Sequence, residues 1–146
     1  MTPREKTLVR ESWALVAPIA DTAAELFYGR LFEMDPDLGR LFAHTDMDTQ
    51  RARLMQTLAV VVKGLDDLDK LVPAVQALGR RHAGYGVRDD HYATVADALL
   101  WTLKTGLGAA YTPEVEKAWV AAYSLLAAVM QAAAADAQAV AEGAAA

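Results

Sequence analysis

The chain has 146 residues, of which 54% are hydrophobic and 23% charged, and its formal net charge is −5. This length and composition fit one folded domain that buries about two thirds of the surface of its unfolded chain, and they exclude a disordered protein. The acidic balance disfavours a nucleic-acid partner, and the absence of cysteine excludes disulfides, zinc-thiolate sites, iron–sulfur clusters and covalent cofactor attachment through CxxCH.

The N-terminal segment MTPREKTLVRESW carries charges where a signal peptide needs an uninterrupted apolar stretch. Apolar runs elsewhere are broken short of the ~18 residues that a membrane span requires. We therefore expect a cytoplasmic protein with no export signal and no membrane span.

The first predicted helix begins with Thr2 as its N-cap and Pro3 at its first position, and it runs to about Val16. Pro18 restarts the chain into a second helix that ends near residue 33. Asp35 and the proline after it then cap a short third helix, which ends near residue 42.

A fourth helix, which includes Gln50, follows the polar connection 44–48, continues to about Lys63 and ends at Gly64. Acidic residues at 66, 67 and 69 precede the helix that contains His82. Pro73 lies in that segment and is tolerable in a first turn or at a kink. Residues 84–90, GYGVRDD, have the glycine-then-carboxylate order of a helix end followed by a new start.

A long helix is predicted from about Asp89 to Leu107, and the start signal at residues 112–114 opens a last one. No alternating strand pattern competes, so the fold class is all-α. Beyond Gln131 the sequence becomes alanine-rich. We therefore expect one domain over residues 1–131 and a tail over residues 132–146 that is a frayed helix or disordered.

Two helical stripes each combine apolar residues with one polar side chain. His82 ends the stripe that contains Leu71, Val75 and Leu78, while Gln50 opens a stripe that continues with Leu54, Leu58 and Val61. On residues alone, a histidine on an apolar face is more often a core residue than a ligand. An imidazole facing an amide across an apolar gap nevertheless describes a site for a metal-bearing cofactor with one protein ligand and one open side.

Five segments taken in order resemble the globin superfamily, from about residue 5 to residue 130. Within that superfamily the chain resembles single-domain bacterial globins of the flavohaemoglobin branch and is also similar to neuroglobins. The segments are ESW near Ser12, ELFYGRLFEMDPDLGRLF at 25–42, LGRRHAGYGV at 78–87, HYATVADALL at 91–100 and LGAAYTPEVEKAWVAAY at 107–123.

The resemblance implies a globin fold of about seven to eight helices around one non-covalent haem b. It implies that His82 is the proximal iron ligand, that Gln50 and Tyr28 are distal hydrogen-bond donors to bound gas, and that Phe42 wedges the haem. The matching pocket positions are Arg53, Leu54, Leu78, Val87, Tyr92 and Val95. Arg53 and Arg81 are candidates for contact with a haem propionate.

Two departures from these relatives affect the expected chemistry. The flavohaemoglobin branch orients the proximal histidine with a glutamate on the last helix, and the resemblance places Ala134 there, so a weaker electron push and less peroxidase-like chemistry are expected. Neuroglobins carry a histidine at the position of Gln50. Since an amide is a poor iron ligand, we expect a five-coordinate ferrous state. His44 and His91 are interpreted as surface or helix-start residues and are not assigned to iron.

The expected function is cytoplasmic binding, storage or transport of dioxygen and other diatomic gases, with nitric oxide and carbon monoxide as further ligands. A nitric oxide dioxygenase is the alternative, and it would need a separate reductase because no flavin or nicotinamide domain is recognised in the sequence. Gas sensing is a third possibility, for which an output domain is expected, and a cofactor-free interaction domain is a fourth.

Overall fold

Seven α-helices follow one another in a computed structural model that describes the backbone of residues 1–145 and the side chains of residues 1–137 and 139. No strand occurs within that range, so the all-α prediction is confirmed. Short 3-10 turns occupy Ala17–Ile19 and Gly108–Ala110. The helices are α1 (Pro3–Val16), α2 (Ala20–Met34), α3 (Leu38–Leu41), α4 (Met47–Lys63), α5 (Leu68–Gly84), α6 (Asp89–Leu107) and α7 (Pro113–Ala145).

Helix starts follow the capping signals of the sequence. Thr2 Oγ1 accepts the backbone N–H of Glu5 at 3.1 Å, and Glu5 Oε1 accepts the backbone N–H of Thr2 at 2.9 Å. This reciprocal pair satisfies two donors that the first turn would otherwise leave unpaired. At α4, the side chain of Asp46 accepts the N–H of Asp48 in the same manner. The predicted starts of α1 and α4 are therefore confirmed.

Two helix boundaries differ from the prediction. Pro18 belongs to a 3-10 turn, and α2 begins only at Ala20, because the three residues from Ala17 continue the winding of α1 in a tighter form. Helix α5 begins at Leu68, so Pro73 lies inside the helix rather than in its first turn. The missing N–H of that proline removes one i to i−4 hydrogen bond, which the packing of α5 has to offset.

The core lies where α1, α2, α4, α6 and α7 meet, and α5 packs mainly against α7. Val9, Leu65 and Leu103 are the largest fully buried side chains. A buried polar link joins α7 to α1: Trp119 Nε1 donates to Ser12 Oγ at 2.8 Å, and that hydroxyl donates to the Leu8 carbonyl at 2.7 Å. Each buried polar atom of the link thus has a partner.

Helix α7 is more apolar than expected. The stretch Pro113–Ala137 is long and apolar enough to cross a membrane by length and composition. The expectation that no run reaches this length was wrong, because Ser124 and Gln131 are uncharged and scarcely interrupt it. One such helix is weak evidence for a span, since core helices meet the same criteria, and Trp119 and Ala122 are buried here within the protein.

The alanine-rich end of the chain continues α7 through Ala145. Ala133 is buried, so packing extends at least two residues beyond Gln131. The division into residues 1–131 and 132–146 stays a prediction, and Ala146 lies outside the described residues.

Candidate functional site

A cavity of about 380 Å³ opens among α4, α5, α6 and α7. This volume falls within the usual range for sites that hold a small molecule or cofactor. Some of the lining residues are exposed, Val60 by 59% and Arg81 as well. Its apolar wall is formed by Phe27, Leu54, Leu58, Val60, Val61, Leu71, Val75, Leu78, Val87, Val95, Leu99, Leu126 and Met130.

The two stripes predicted from the sequence contribute most of two walls. All four members of the α5 stripe, from Leu71 to His82, line the cavity. Leu54, Leu58 and Val61 of the α4 stripe also line it, whereas Gln50 does not. The helical period thus correctly predicted the apolar walls of the cavity. Gln50, at the start of the α4 stripe, lies outside the cavity lining.

His82 lies in the last turn of α5, half-buried on the cavity wall. Its Nδ1 is 2.8 Å from the carbonyl oxygen of Leu78. Because a carbonyl can only accept, Nδ1 carries the hydrogen, and the lone pair of a neutral ring is on Nε2. Burial lowers the pKa of His82 below its ordinary value; the hydrogen bond to Leu78 acts against this shift, and the nearby Arg81 charge adds to it. The ring therefore favours the neutral form that binds metals.

The position of His82 depends on a close contact between α5 and α7. A Cβ at Gly79 would lie 2.6 Å from Met130 Cα and would also overlap the carbonyl oxygen of Met130. Only glycine allows the two backbones to approach so closely. Immediately after α5, Gly86 adopts φ +90°, a left-handed conformation that turns the chain toward α6.

Tyr28, Phe42 and Gln50 meet in a cluster between α2 and the start of α4. Gln50 Nε2 donates to Tyr28 Oη at 3.1 Å, and the rings of Tyr28 and Phe42 are edge-on with centroids 5.7 Å apart. None of the three is among the residues that line the cavity. Phe27 connects the two places, because it lines the cavity and packs edge-on against Tyr28 at 5.0 Å.

The hydroxyl of Tyr28 is set up as a donor. Burial raises the pKa of Tyr28, which keeps the group protonated, while the hydrogen bond from Gln50 acts in the opposite direction. Since the oxygen accepts from Gln50, the O–H hydrogen is available to a further acceptor.

The two arginines proposed to contact a propionate are placed differently. Arg81 lines the cavity and is exposed, so its guanidinium is at the cavity edge. Arg53 is exposed on α4 and is not among the lining residues. The remaining predicted pocket positions, Leu54, Leu78, Val87, Tyr92 and Val95, all line the cavity.

Sequence reasoning missed His91 as a cavity residue. It lies in the first turn of α6, as a helix-start interpretation has it, yet it is only 5% exposed, so the surface interpretation was wrong. Its Nδ1 accepts the backbone N–H of Arg88 at 2.9 Å. The helical spacing of the sequence could have revealed this, because His91, Val95 and Leu99 are four residues apart on one face of α6, and all three line the cavity.

The sequence matches a protein-family model and is similar to neuroglobins and flavohemoproteins. The model of the Globin family matches residues 25–130. A neuroglobin of Tetraodon nigroviridis is 32% identical over 143 residues, covering 89% of this chain and 90% of that protein. A flavohemoprotein of Bacillus subtilis is 30% identical over 122 residues, covering 82% of this chain but 31% of its own length.

Solved structures agree in fold. An engineered carbene transferase from Rhodothermus marinus, provisionally described as a nitric oxide dioxygenase, superposes with a TM-score of 0.87 at 26% identity, covering 96% of this chain and 97% of the other. A hexacoordinated heme protein from an anhydrobiotic tardigrade gives 0.81 at 20% identity, covering 92% and 95%. With its helices, its cavity and its histidine in place, the chain belongs to the globin family.

Proposed function

We propose that this protein reversibly binds dioxygen and related diatomic gases through one non-covalent haem b ligated by His82. The observation that carries the proposal is the neutral imidazole of His82, with its Nδ1 held by the Leu78 carbonyl and its Nε2 lone pair free, on the wall of an apolar cavity.

The residues present fit a haem. A porphyrin ring is large and apolar, and the cavity wall is built mainly from aliphatic and aromatic side chains on four helices and Phe27. The chain contains no cysteine, which favours non-covalent retention. Bound haem would supply the iron at which a gas binds, and His82 would supply one ligand to it.

The hydrogen-bonded pair of Tyr28 and Gln50 is the proposed distal part of the site, opposite His82. Tyr28 offers an O–H hydrogen, and Gln50 holds the phenol oxygen in place by donating to it. We propose that this pair stabilises a bound gas that carries partial negative charge. An amide at Gln50 is a poor iron ligand, which favours an open position over ligation from both sides.

A second candidate function is nitric oxide dioxygenation. It is favoured by the likeness to flavohemoproteins and to the Rhodothermus marinus protein described in those terms. The chain spans about a third of the flavohemoproteins it matches, 31% for that of Bacillus subtilis. Repeated turnover would require a reductase that returns ferric iron to ferrous.

Absorption spectra of the purified ferrous protein, recorded with and without dioxygen, test the first proposal. We expect a five-coordinate spectrum that dioxygen converts reversibly to a new one. A protein that stays colourless after reconstitution with hemin, or whose ferrous form already has two protein ligands, would contradict it.

Mixing the oxygenated protein with nitric oxide and a general reductase separates the two functions. A gas carrier gives one stoichiometric burst of nitrate, whereas repeated rapid turnover identifies the enzyme. Free hemin with the same reductase is the control for nitrate that forms without the protein.

A further inference from the structure

The side of α7 that faces away from the core is apolar and carries no charge from residue 118 to residue 135. Val120 is 44% exposed and Leu125 is 38% exposed, although both side chains are large and apolar. The other residues of this side, which we call the α7 outer face, are small or uncharged and are exposed or partly exposed: Ala121, Ser124, Ala128, Gln131, Ala132 and Ala135. A continuous exposed apolar surface indicates an interaction site.

The centre of the α7 outer face has the spacing of a helix–helix contact. Ala121, Ser124, Ala128, Gln131 and Ala135 follow one another at intervals of three, four, three and four residues. This spacing presents one line of side chains to a second helix that crosses at about +20°. Because four of the five residues are alanine or serine, the two helix axes can approach to about 8 Å, the short end of the usual range.

Opposite charges stand at the two ends of the α7 outer face. Lys117 lies one turn before Ala121, Asp136 follows Ala135 directly, and both charged residues are exposed. A second copy laid antiparallel, with a two-fold axis near residue 126, brings Lys117 of each copy close to Asp136 of the other. A parallel copy would instead place like charges side by side at both ends. The charges therefore favour an antiparallel second copy as the occupant.

We propose that two copies of this chain associate antiparallel along the α7 outer face. The contact is about 28 Å long and about 10 Å wide, which is at the lower end of specific interfaces, so the dimer dissociates on dilution. Leu126 and Met130 of the same helix line the cavity and do not belong to this face. The association is therefore independent of the proposed function.

Sedimentation velocity of the full chain at increasing concentration measures the association. We expect monomers at micromolar concentration that convert to dimers toward millimolar concentration. Ala128→Glu adds a carboxylate from each copy near the two-fold axis, and we expect the resulting repulsion to weaken association at least roughly a hundredfold. Leu15→Glu is the control, because Leu15 is 57% exposed on α1, and it should leave the association unchanged.

Reversal of the end charges tests the orientation. Lys117→Glu opposes a carboxylate to Asp136 of the second copy at both ends, and we expect it to weaken association roughly three- to tenfold. Adding Asp136→Lys to the same chain exchanges the two signs and should restore association to within about twofold. A single reversal whose effect the double reversal does not repair would contradict the antiparallel arrangement.

Introduced cysteines test the register without adding charge, since the chain has no cysteine of its own. In the antiparallel dimer Ser124 of one copy faces Ala128 of the other, whereas two Ser124 side chains are offset by about 6 Å along the axis. A mixture of the Ser124→Cys and Ala128→Cys proteins should therefore form disulfide-linked dimers faster than either protein alone. Leu15→Cys should remain monomeric. Equal rates for the mixture and the separate proteins would contradict the register.

Three further results would overturn the proposal. The chain could stay monomeric at every concentration, or form a dimer that Ala128→Glu leaves intact, which would use another surface. A monomer that binds phosphatidylcholine vesicles and loses this binding in Ala128→Glu would show that the face contacts lipid, because α7 also has the length and composition of a membrane span. Circular dichroism of each variant confirms that the helices are retained.

Discussion

The two sides of the candidate site are built in different ways. On the α5 side, backbone groups fix His82: the Leu78 carbonyl accepts from its Nδ1, and Gly79 packs directly against the backbone of Met130. On the α2 side, side chains fix the donors, through one hydrogen bond between Gln50 and Tyr28 and edge-on aromatic contacts.

This difference suggests that the two sides affect different properties. On the α5 side the position of His82 is fixed, because closely packed backbones allow little adjustment. The α2 side can change its donors by a single substitution without moving a helix. We therefore expect changes on the α5 side to alter cofactor retention and folding, and changes on the α2 side to alter the kinetics of gas release.

The largest expected effect comes from His82→Ala, which should abolish stable haem retention by removing the ligand. Absorption in the Soret region after reconstitution with hemin measures this, and added imidazole should restore part of the signal by replacing the lost ring. His44→Ala is the control, since His44 is exposed. An unchanged Soret spectrum in the His82 variant would remove this residue as the ligand.

Gly79→Ala should destabilise the fold by about 1–3 kcal/mol, because the added Cβ would overlap the backbone of Met130 and push α5 away from α7. Urea unfolding of the cofactor-free protein measures the change. Gly29→Ala is matched to it, since Gly29 is also within a helix but has open space at its Cβ, and helix propensity predicts a small gain there. Equal stabilities for the two variants would show that the α5–α7 contact does not depend on glycine.

Tyr28→Phe should speed dioxygen release roughly five- to thirtyfold, the equivalent of losing one hydrogen bond of about 1–2 kcal/mol. Stopped-flow measurement of dioxygen dissociation tests it, with carbon monoxide dissociation as the comparison that should change much less. Because Tyr28 is not among the cavity-lining residues, an unaltered rate would confine its hydroxyl to the aromatic cluster.

Local signals in the sequence accounted for much of the fold. The capping pair Thr2 and Glu5 acts within three residues, and the apolar stripes follow the helical period, so neither needs the tertiary structure to be recognised. Pro73 was harder to place, because the start of α5 depends on its packing against α7 rather than on local preference.

The polar contacts of the site were less accessible to sequence reasoning. The hydrogen bond between Tyr28 and Gln50 joins residues on two helices, and its existence depends on how those helices cross. The burial of His91 similarly depends on which elements cover the start of α6, although its spacing to Val95 placed it on the correct face. The family resemblance supplied roles that periodicity alone would not have assigned.

Gly79 also bears on how this protein could be altered by design. Because the backbones of Gly79 and Met130 set the distance between α5 and α7 at that point, this contact does not depend on the size of a side chain. Leu71, Val75 and Leu126 line the cavity away from that contact, so an exchange there would change the shape of the cavity while leaving the Gly79–Met130 contact in place. The spacing of α5 and α7 and the shape of the cavity are thus set by different residues.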